Sequence, residues 1–378
     1  MAATTIKDVR DWMPGVLCKE QLEKLVGLVI LGDLPADFDK SSMDLTLSRD
    51  GWELKNGALK PSRGPYLQQK HTYSGFFEDL VADESGQFIL YPGKTYLFKT
   101  QQRLHAKSIK ELGIFGQATA RSSIGRLDVL ARLIVDGMNC YEGFRPDEVE
   151  SGDMFVEITP LSFPISVKPG SAVSQLRLFL GPPEDCEIKG ALLHQATILG
   201  EPADGYLRVD LSHVQKGDRE ACALKARNAD SLSPVPAIKG ASKPHPSEYW
   251  ERIEASLNIH NERYLKIEKG SFYILRSKEQ LALHGSTAVY CMAIDETIGE
   301  MRIHYAGFVH PWFGRERKDK GKGTPLIFEV RGHDVPVILR DGEILAKLRY
   351  YHMSREPQKT EDQYSDQTLN LSGFFADW

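Results

Sequence analysis

The sequence predicts a mostly-β chain: two tandem copies of one β-barrel or β-sandwich domain, with few short helices. Three observations carry this. Apolar and polar residues alternate at period two over many short stretches, Pro-Gly and Asp-Gly pairs punctuate those stretches, and the same segments recur in order in the second half. A chain of 378 residues also exceeds one ordinary core, at roughly 150 residues per domain.

Taken along the chain, Lys19 to Ile30 is the first helix candidate. Met43, Leu45 and Leu47 alternate with Asp44 and Thr46 and predict a strand. After Arg121-Ser122-Ser123, the residues Ile124, Leu127, Ala131 and Ile134 stand at helical spacing. Met154, Val156 and Ile158 alternate with Phe155, Glu157 and Thr159, and Leu176, Leu178 and Leu180 with Gln175, Arg177 and Phe179. Ser231 to Ser247, rich in Ser, Pro and Lys, reads as a long loop, and Ser247 to Ala255 as a second helix. The polar tail from Glu356 ends in Gly-Phe-Phe-Ala-Asp-Trp, and its three aromatics predict docking rather than fraying.

The repeat is explicit. FVEITPLSFPISVKPGSAVSQLRLF (155–179) aligns without a gap with IFEVRGHDVPVILRDGEILAKLRYY (327–351), so Glu157 meets Glu329 and Gly170 meets Gly342. Upstream, GKTYLFKTQQRL (93–104) matches GSFYILRSKEQL (270–281), and Ile124-Gly125 meets Ile298-Gly299. The period is too long for a solenoid and fits whole domains. The join falls between about 181 and 205, which holds Pro182, Pro183 and Pro202, giving domains 1–192 and 193–378.

Composition narrows the function. Hydrophobic residues make up 41% and charged residues 26%, as in a globular protein, and a net charge of -5 argues against nucleic-acid binding. The longest apolar-plus-glycine run near the N-terminus, Leu25 to Leu31, is far too short for a bilayer, and no secretory pattern precedes it. Five scattered cysteines (Cys18, Cys140, Cys186, Cys222 and Cys291) suit free thiols in a reducing cytoplasm, which is the expected location.

Two groups of residues could carry chemistry. Two hydroxyls and a guanidinium in Arg121-Ser122-Ser123, at a helix start, would make a phosphate cradle. The simpler alternative is that Ser122 only caps the helix. Glu157 lies on the strand face opposite Met154, Val156 and Ile158. In a pocket its pKa would rise toward the range useful for proton transfer; otherwise it is an exposed strand glutamate. A zinc deaminase needs His-x-Glu with Pro-Cys-x-x-Cys. His260-Asn261-Glu262 supplies the first half, but the chain has no Cys-x-x-Cys, so a protein-held zinc is not expected. A Walker A motif is also absent, since no glycine precedes Gly321-Lys322 at the required spacing.

The order ARSSIGRLDVL (120–130), a variable loop, FVEI (155–158), a Pro-Gly turn and SQLRLF (174–179) resembles the dCTP deaminase branch of the dUTPase superfamily. GVLCKEQLEKL (15–25) and SMDLTL (42–47) resemble that branch's first helix and strand. The resemblance implies the dUTPase-like fold, deamination of dCTP to dUTP, and Mg²⁺ carried on the triphosphate without zinc. It implies that Arg121, Ser122 and Ser123 hold phosphates, with Gln175 near them. It further implies that Glu157 is the acid–base, with Arg126 orienting it or stabilising nearby charge. Family assemblies are threefold, with sites shared between neighbours, so a homotrimer is expected, with no nucleic-acid or membrane partner.

Departures leave alternatives open. Loop Val135 to Asp153 is long and acidic and lacks a clear counterpart to the residues that read the base. The second half keeps Glu329, but Asp295, Glu296, Thr297 and Glu300 replace Arg121, Ser122, Ser123 and Arg126, and Lys347 replaces Gln175. That half is expected to have lost its own phosphate site, while Glu329 could complete a site whose Arg121 and Ser122 come from another domain. A dUTP diphosphatase, alone or combined with deamination, would need a carboxylate-held water, for which Asp136 and Asp147 are the nearby candidates. A non-catalytic nucleotide-binding module is the third reading. The basic loop Arg315 to Lys322 and the acidic residues Glu142 to Asp153 could meet across an assembly interface.

Overall fold

Short alternating segments leave the chain with many half-buried strands and few surfaces for helices, and the structure follows. A computed structural model describes residues 4–34, 37–227, 232–294, 301–303, 307–315, 323–359 and 367–378. Among these described residues strand accounts for 42% and helix for 11%, so the fold is mostly β. Asp295, Glu296, Thr297 and Glu300, and Arg317, Lys318, Lys320 and Lys322 of the basic loop, lie outside the described residues, as does Ser231.

In the first half the strands Val129–Val135, Met154–Pro160, Thr95–Thr100 and Ser42–Leu54 are neighbours in that order, and the sheet continues through Ala172–Leu180 and Ile114–Ala120. In the second half Met301–Ile303, Thr324–Gly332, Phe272–Leu281 and Ala223–Ala226 are neighbours in the corresponding order. There Ile344–His352 pairs with Thr287–Ala293 as Ala172–Leu180 pairs with Ile114–Ala120. The strand Ser42–Leu54 is 13 residues long and shifts register between Leu47 and Gly51, so its first part pairs with Ala172–Leu180 and its last part with Thr95–Thr100.

Alternation places the core as expected. Met43, Leu45 and Leu47, Met154, Val156 and Ile158, and Leu176, Leu178 and Leu180 all join one buried cluster. The same cluster takes in Leu224, Trp250, Phe272 and Ile274 from the second half, so the halves share apolar core. The reverse face of Ala172–Leu180 meets the second half directly. Phe179 stacks edge-on against Tyr351 with centroids 5.2 Å apart. Fully buried Arg177 lies over the Phe308 ring at 4.0 Å and donates to the carbonyls of Val289 (3.2 Å) and Val309 (3.5 Å). The tail docks: Phe375 packs against Phe163, Tyr249 and Trp250, and the Arg252 guanidinium sits over Trp378.

Three helix expectations change. The helix after Arg121 covers only Ser122–Gly125. Asp128 adopts a left-handed backbone (φ 58°), and Ala131 and Ile134 belong to the strand Val129–Val135. Residues 129, 131, 133 and 135 are also period two, and a seven-pair ladder with Met154–Pro160 decides for strand. Ser247 to Ala255 is not a helix either: a 3-10 turn Pro246–Glu248 leads into the strand Trp250–Ile253, which pairs with Ala223–Ala226 and buries Trp250. The helix expected over Lys19 to Ile30 ends at Lys24, before the turn at Gly27 (φ 84°), and Ile30 begins a strand. The loop before Ser247 contains its own short strand, Val235–Pro236, laid parallel to Ile165–Val167 of the first half.

Candidate active site

The strand Ile114–Ala120 runs out at Arg121, whose extended backbone turns into the four-residue helix Ser122–Gly125. No side chain caps this helix; the capping position is held by Arg121, one residue before Ser122. The simpler reading of Ser122 as a cap therefore fails, and the hydroxyls of Ser122 and Ser123 border an open cleft. Arg121, Ser122, Ser123, Arg126 and Gln175 all line this cleft of about 530 Å³, within the range of small-ligand sites. Gln175 is fixed by Ser42, whose hydroxyl donates to its Oε1 (3.2 Å), and by its own amide donating to the Ala120 carbonyl (3.4 Å).

The carboxylate that meets this segment is Glu329, from the second half. Glu329, 3% exposed, lines a small cavity with Ser122, Arg126, His310 and Gln367. A β-carbon on Gly125 would collide with its carboxylate, so glycine is what leaves room for that carboxylate against the helix. Two residues on, Arg331 forms an ion pair with Asp128, which Ser162 also holds through a 2.6 Å hydrogen bond. These contacts set the register of the Glu329 strand against the turn that carries Arg126.

Glu157 does not line the cleft. It points to the sheet face opposite the core and is 1% exposed. Arg132, directly across the ladder, ion-pairs with its Oε1, and the Tyr141 hydroxyl donates to Oε2 at 3.2 Å. Burial raises its pKa, opposed by Arg132 and Tyr141. Aromatic residues of its own half, including Trp52, Tyr66 and Phe77, form the cluster on that face. Asp136 is used structurally: it accepts from the Tyr66 N–H (3.0 Å) and the Ser151 hydroxyl (2.9 Å). Asp147 pairs at 3.7 Å with Lys110 on the surface.

Several groups in the cleft carry no local sequence signature. Arg121 pairs with Asp44 at 3.2 Å, and burial pushes Asp44 up to about 6 despite that partner. Asp39 approaches His310 Nε2 at 3.0 Å, and the other His310 nitrogen meets the Ser41 hydroxyl at 3.0 Å. Burial pushes the Asp39 carboxyl up, but the His310 charge and the Lys40 N–H together hold it below its ordinary value. The Arg126 guanidinium donates to Gln367 Oε1 (2.8 Å) and to the carbonyls of Asn370 and Leu371, and the Ser372 hydroxyl donates to the Ser123 carbonyl (2.6 Å). Only tertiary pairing brings these residues to Ser122. Among the described residues no three His, Cys, Asp or Glu side chains stand together as a metal site. Asp39 and Asp44 already face His310 and Arg121.

Residues 13–182 match the family of 2'-deoxycytidine 5'-triphosphate deaminase N-terminal domains, and residues 190–375 match that of the C-terminal domain. A dCTP deaminase from Haloarcula marismortui is 27% identical over 147 residues, spanning 39% of this chain and 68% of that protein. The crystal structure of a 2'-deoxycytidine 5'-triphosphate deaminase from Agrobacterium tumefaciens superposes with a TM-score of 0.79. It is 25% identical, and the match covers 91% of this chain and 97% of that one.

Proposed function

The chain belongs to the dCTP deaminase family, with the dUTPase-like fold, and from that membership we propose that it hydrolyses dCTP to dUTP and ammonia in the cleft between its halves. The observation that carries the site assignment is the meeting of Arg121, Ser122, Ser123, Arg126 and Gln175 of one half with the buried Glu329 of the other. The two hydroxyls and Arg121 bind phosphate. Glu329, rather than Glu157, takes a proton from water as the oxygen adds to cytosine C4, then passes a proton to the departing amino nitrogen, so water is consumed and ammonia leaves. Arg126, in the same cavity, orients that carboxylate and is itself held by Gln367.

The remaining parts of the reading follow from this. Mg²⁺ enters on the triphosphate, where it offsets phosphate charge, and no zinc takes part; the prior commitment of Asp39 and Asp44 to His310 and Arg121 favours a metal that the substrate brings. The halves are copies of one domain, joined between 181 and 205, and corresponding strand orders support this. Three chains form the working assembly. The free state of all five cysteines suits a cytoplasmic nucleotide pool.

The test is incubation with dCTP or dUTP plus Mg²⁺, with ammonia and pyrophosphate assayed separately. Ammonia from dCTP alone is the expected result. Pyrophosphate from dUTP would make the enzyme a diphosphatase or bifunctional, and binding without either product would leave a nucleotide-binding module.

A further inference from the structure

The cleft is longer than the chemistry needs. Its inner end is the cavity of Glu329 and Arg126, Ser122 lies at the join, and Arg121 and Ser123 lead outward into a second chamber. That chamber is bordered by Asp37 and Asp44 and by two lysines, Lys239 and Lys243, from the segment that crosses from the second half. The crossing is built rather than loose. Val235 and Pro236 pair in parallel with Ile165 and Ser166, and the Ala237 N–H donates to the Ser166 carbonyl at 2.9 Å. Val235, Ala237 and Ile238 are buried, and the chain then turns through Gly240 (φ 80°). The lysine-bearing turn is thus anchored on both the sheet and the core.

The charge inventory of this chamber sets a problem that the lysines solve. Arg121 is already paired with Asp44, and Asp37 adds a further negative charge, so the phosphate segment alone offers little net positive charge to a polyanion. Both lysines are exposed, and neither forms a salt bridge shorter than 4 Å among the described residues. Lys239 is close enough to act electrostatically on Asp44. With the base at the Glu329 end and the inner phosphate at Ser122, the rest of a triphosphate runs toward this pair.

We infer that Lys239 and Lys243 bind the outer phosphates of the nucleotide and make the enzyme select triphosphates over monophosphates. This rests on the proposed deaminase reading for the direction in which the nucleotide lies. Two ammonium groups at the outer end contact only what a triphosphate has and a monophosphate lacks.

The test is calorimetric titration of the full chain, carrying Glu329→Gln throughout so that dCTP is not consumed, with Mg²⁺, using dCTP and dCMP as probes. In the double variant Lys239→Gln/Lys243→Gln the Kd for dCTP should rise about tenfold, while that for dCMP should change less than about twofold. The double arginine variant should keep the wild-type ratio, and an unchanged melting temperature shows that the fold is intact. Equal weakening of both nucleotides, or of neither, overturns the assignment. The ammonia assay on the wild type judges the reaction separately. A protein that binds dCTP without releasing ammonia loses the deaminase reading, while the dCTP-to-dCMP ratio still decides the lysines.

Discussion

At the scale of single residues, two glutamates compete for one role. The sequence made them equivalent: Glu157 and Glu329 occupy the same place in the repeat, and alternation put Glu157 off the core face, as observed. What it could not supply was which glutamate meets Ser122, because that depends on how the two halves dock. Glu329→Gln is expected to lower turnover by roughly 10²-fold or more and to retain dCTP binding. Glu157→Gln should leave turnover near normal but lower the melting temperature, because Arg132 loses its anion at a cost of about 1–3 kcal/mol. The opposite pattern of rates would return the catalytic role to Glu157. Asp44 gives a pH-dependent prediction. Its folded pKa of about 6 lies above the unfolded value of about 4, so between these the native state holds a proton that the unfolded chain has lost. That contribution is full below about pH 4 and disappears as pH rises through about 6, where the buried anion costs about 3 kcal/mol. Asp44→Asn should therefore match wild type in melting temperature at low pH and exceed it at pH 8. Equal melting curves at both would show that Asp44 is not perturbed.

At the scale of elements, the sequence was most legible where one reading excluded others. The strands of Met43, Met154 and Leu176 lie where alternation put them. The segment after Ser123 was ambiguous, because Ile124, Leu127, Ala131 and Ile134 fit a helix while Val129, Ala131, Leu133 and Val135 fit a strand. A partner strand resolves such a tie, and no local rule names the partner. The helix that survives ends at Gly125, and Asp128 (φ 58°) turns the chain into the strand Val129–Val135. In an isolated helix Gly125→Ala would gain about 1 kcal/mol. Here the new methyl group meets the Glu329 carboxylate, so the variant should melt lower than wild type and lose at least about tenfold in turnover. Pairing it with Glu329→Asp, which withdraws the carboxylate, should restore the melting temperature and leave activity low. A Gly125→Ala enzyme as fast and stable as wild type would mean that the carboxylate does not sit against this helix.

At the scale of the whole molecule, the site and the docking of the halves are one feature. The strand Ala172–Leu180 buries Leu176 and Leu178 inward and turns Arg177 and Phe179 to the second half. The strand Thr324–Gly332 then delivers Glu329 and Arg331 to the turn of Arg126 and Asp128. Ser122, Arg126 and Glu329, which the proposed reaction uses, thus meet within one chain. The chain also exposes an aliphatic surface. The small sheet Ser256–Leu257, Arg263–Ile267 and Val337–Arg340 leaves Leu257 and Ile338 more than half exposed, with Ile259 in the adjoining turn 94% exposed. Exposed aliphatic residues on a sheet suit contact between copies, and closed threefold symmetry would satisfy every such contact. Light scattering should therefore give three times the 42.5 kDa chain mass, and Leu257→Asp/Ile338→Asp should reduce it. Because Ser122 and Glu329 belong to one chain, the activity per chain should survive that dissociation. A wild-type mass of one or two chains would refute the trimer. Activity that vanished with dissociation while the melting curve stayed unchanged would show that a neighbouring chain, and not this chain's own second half, completes the site.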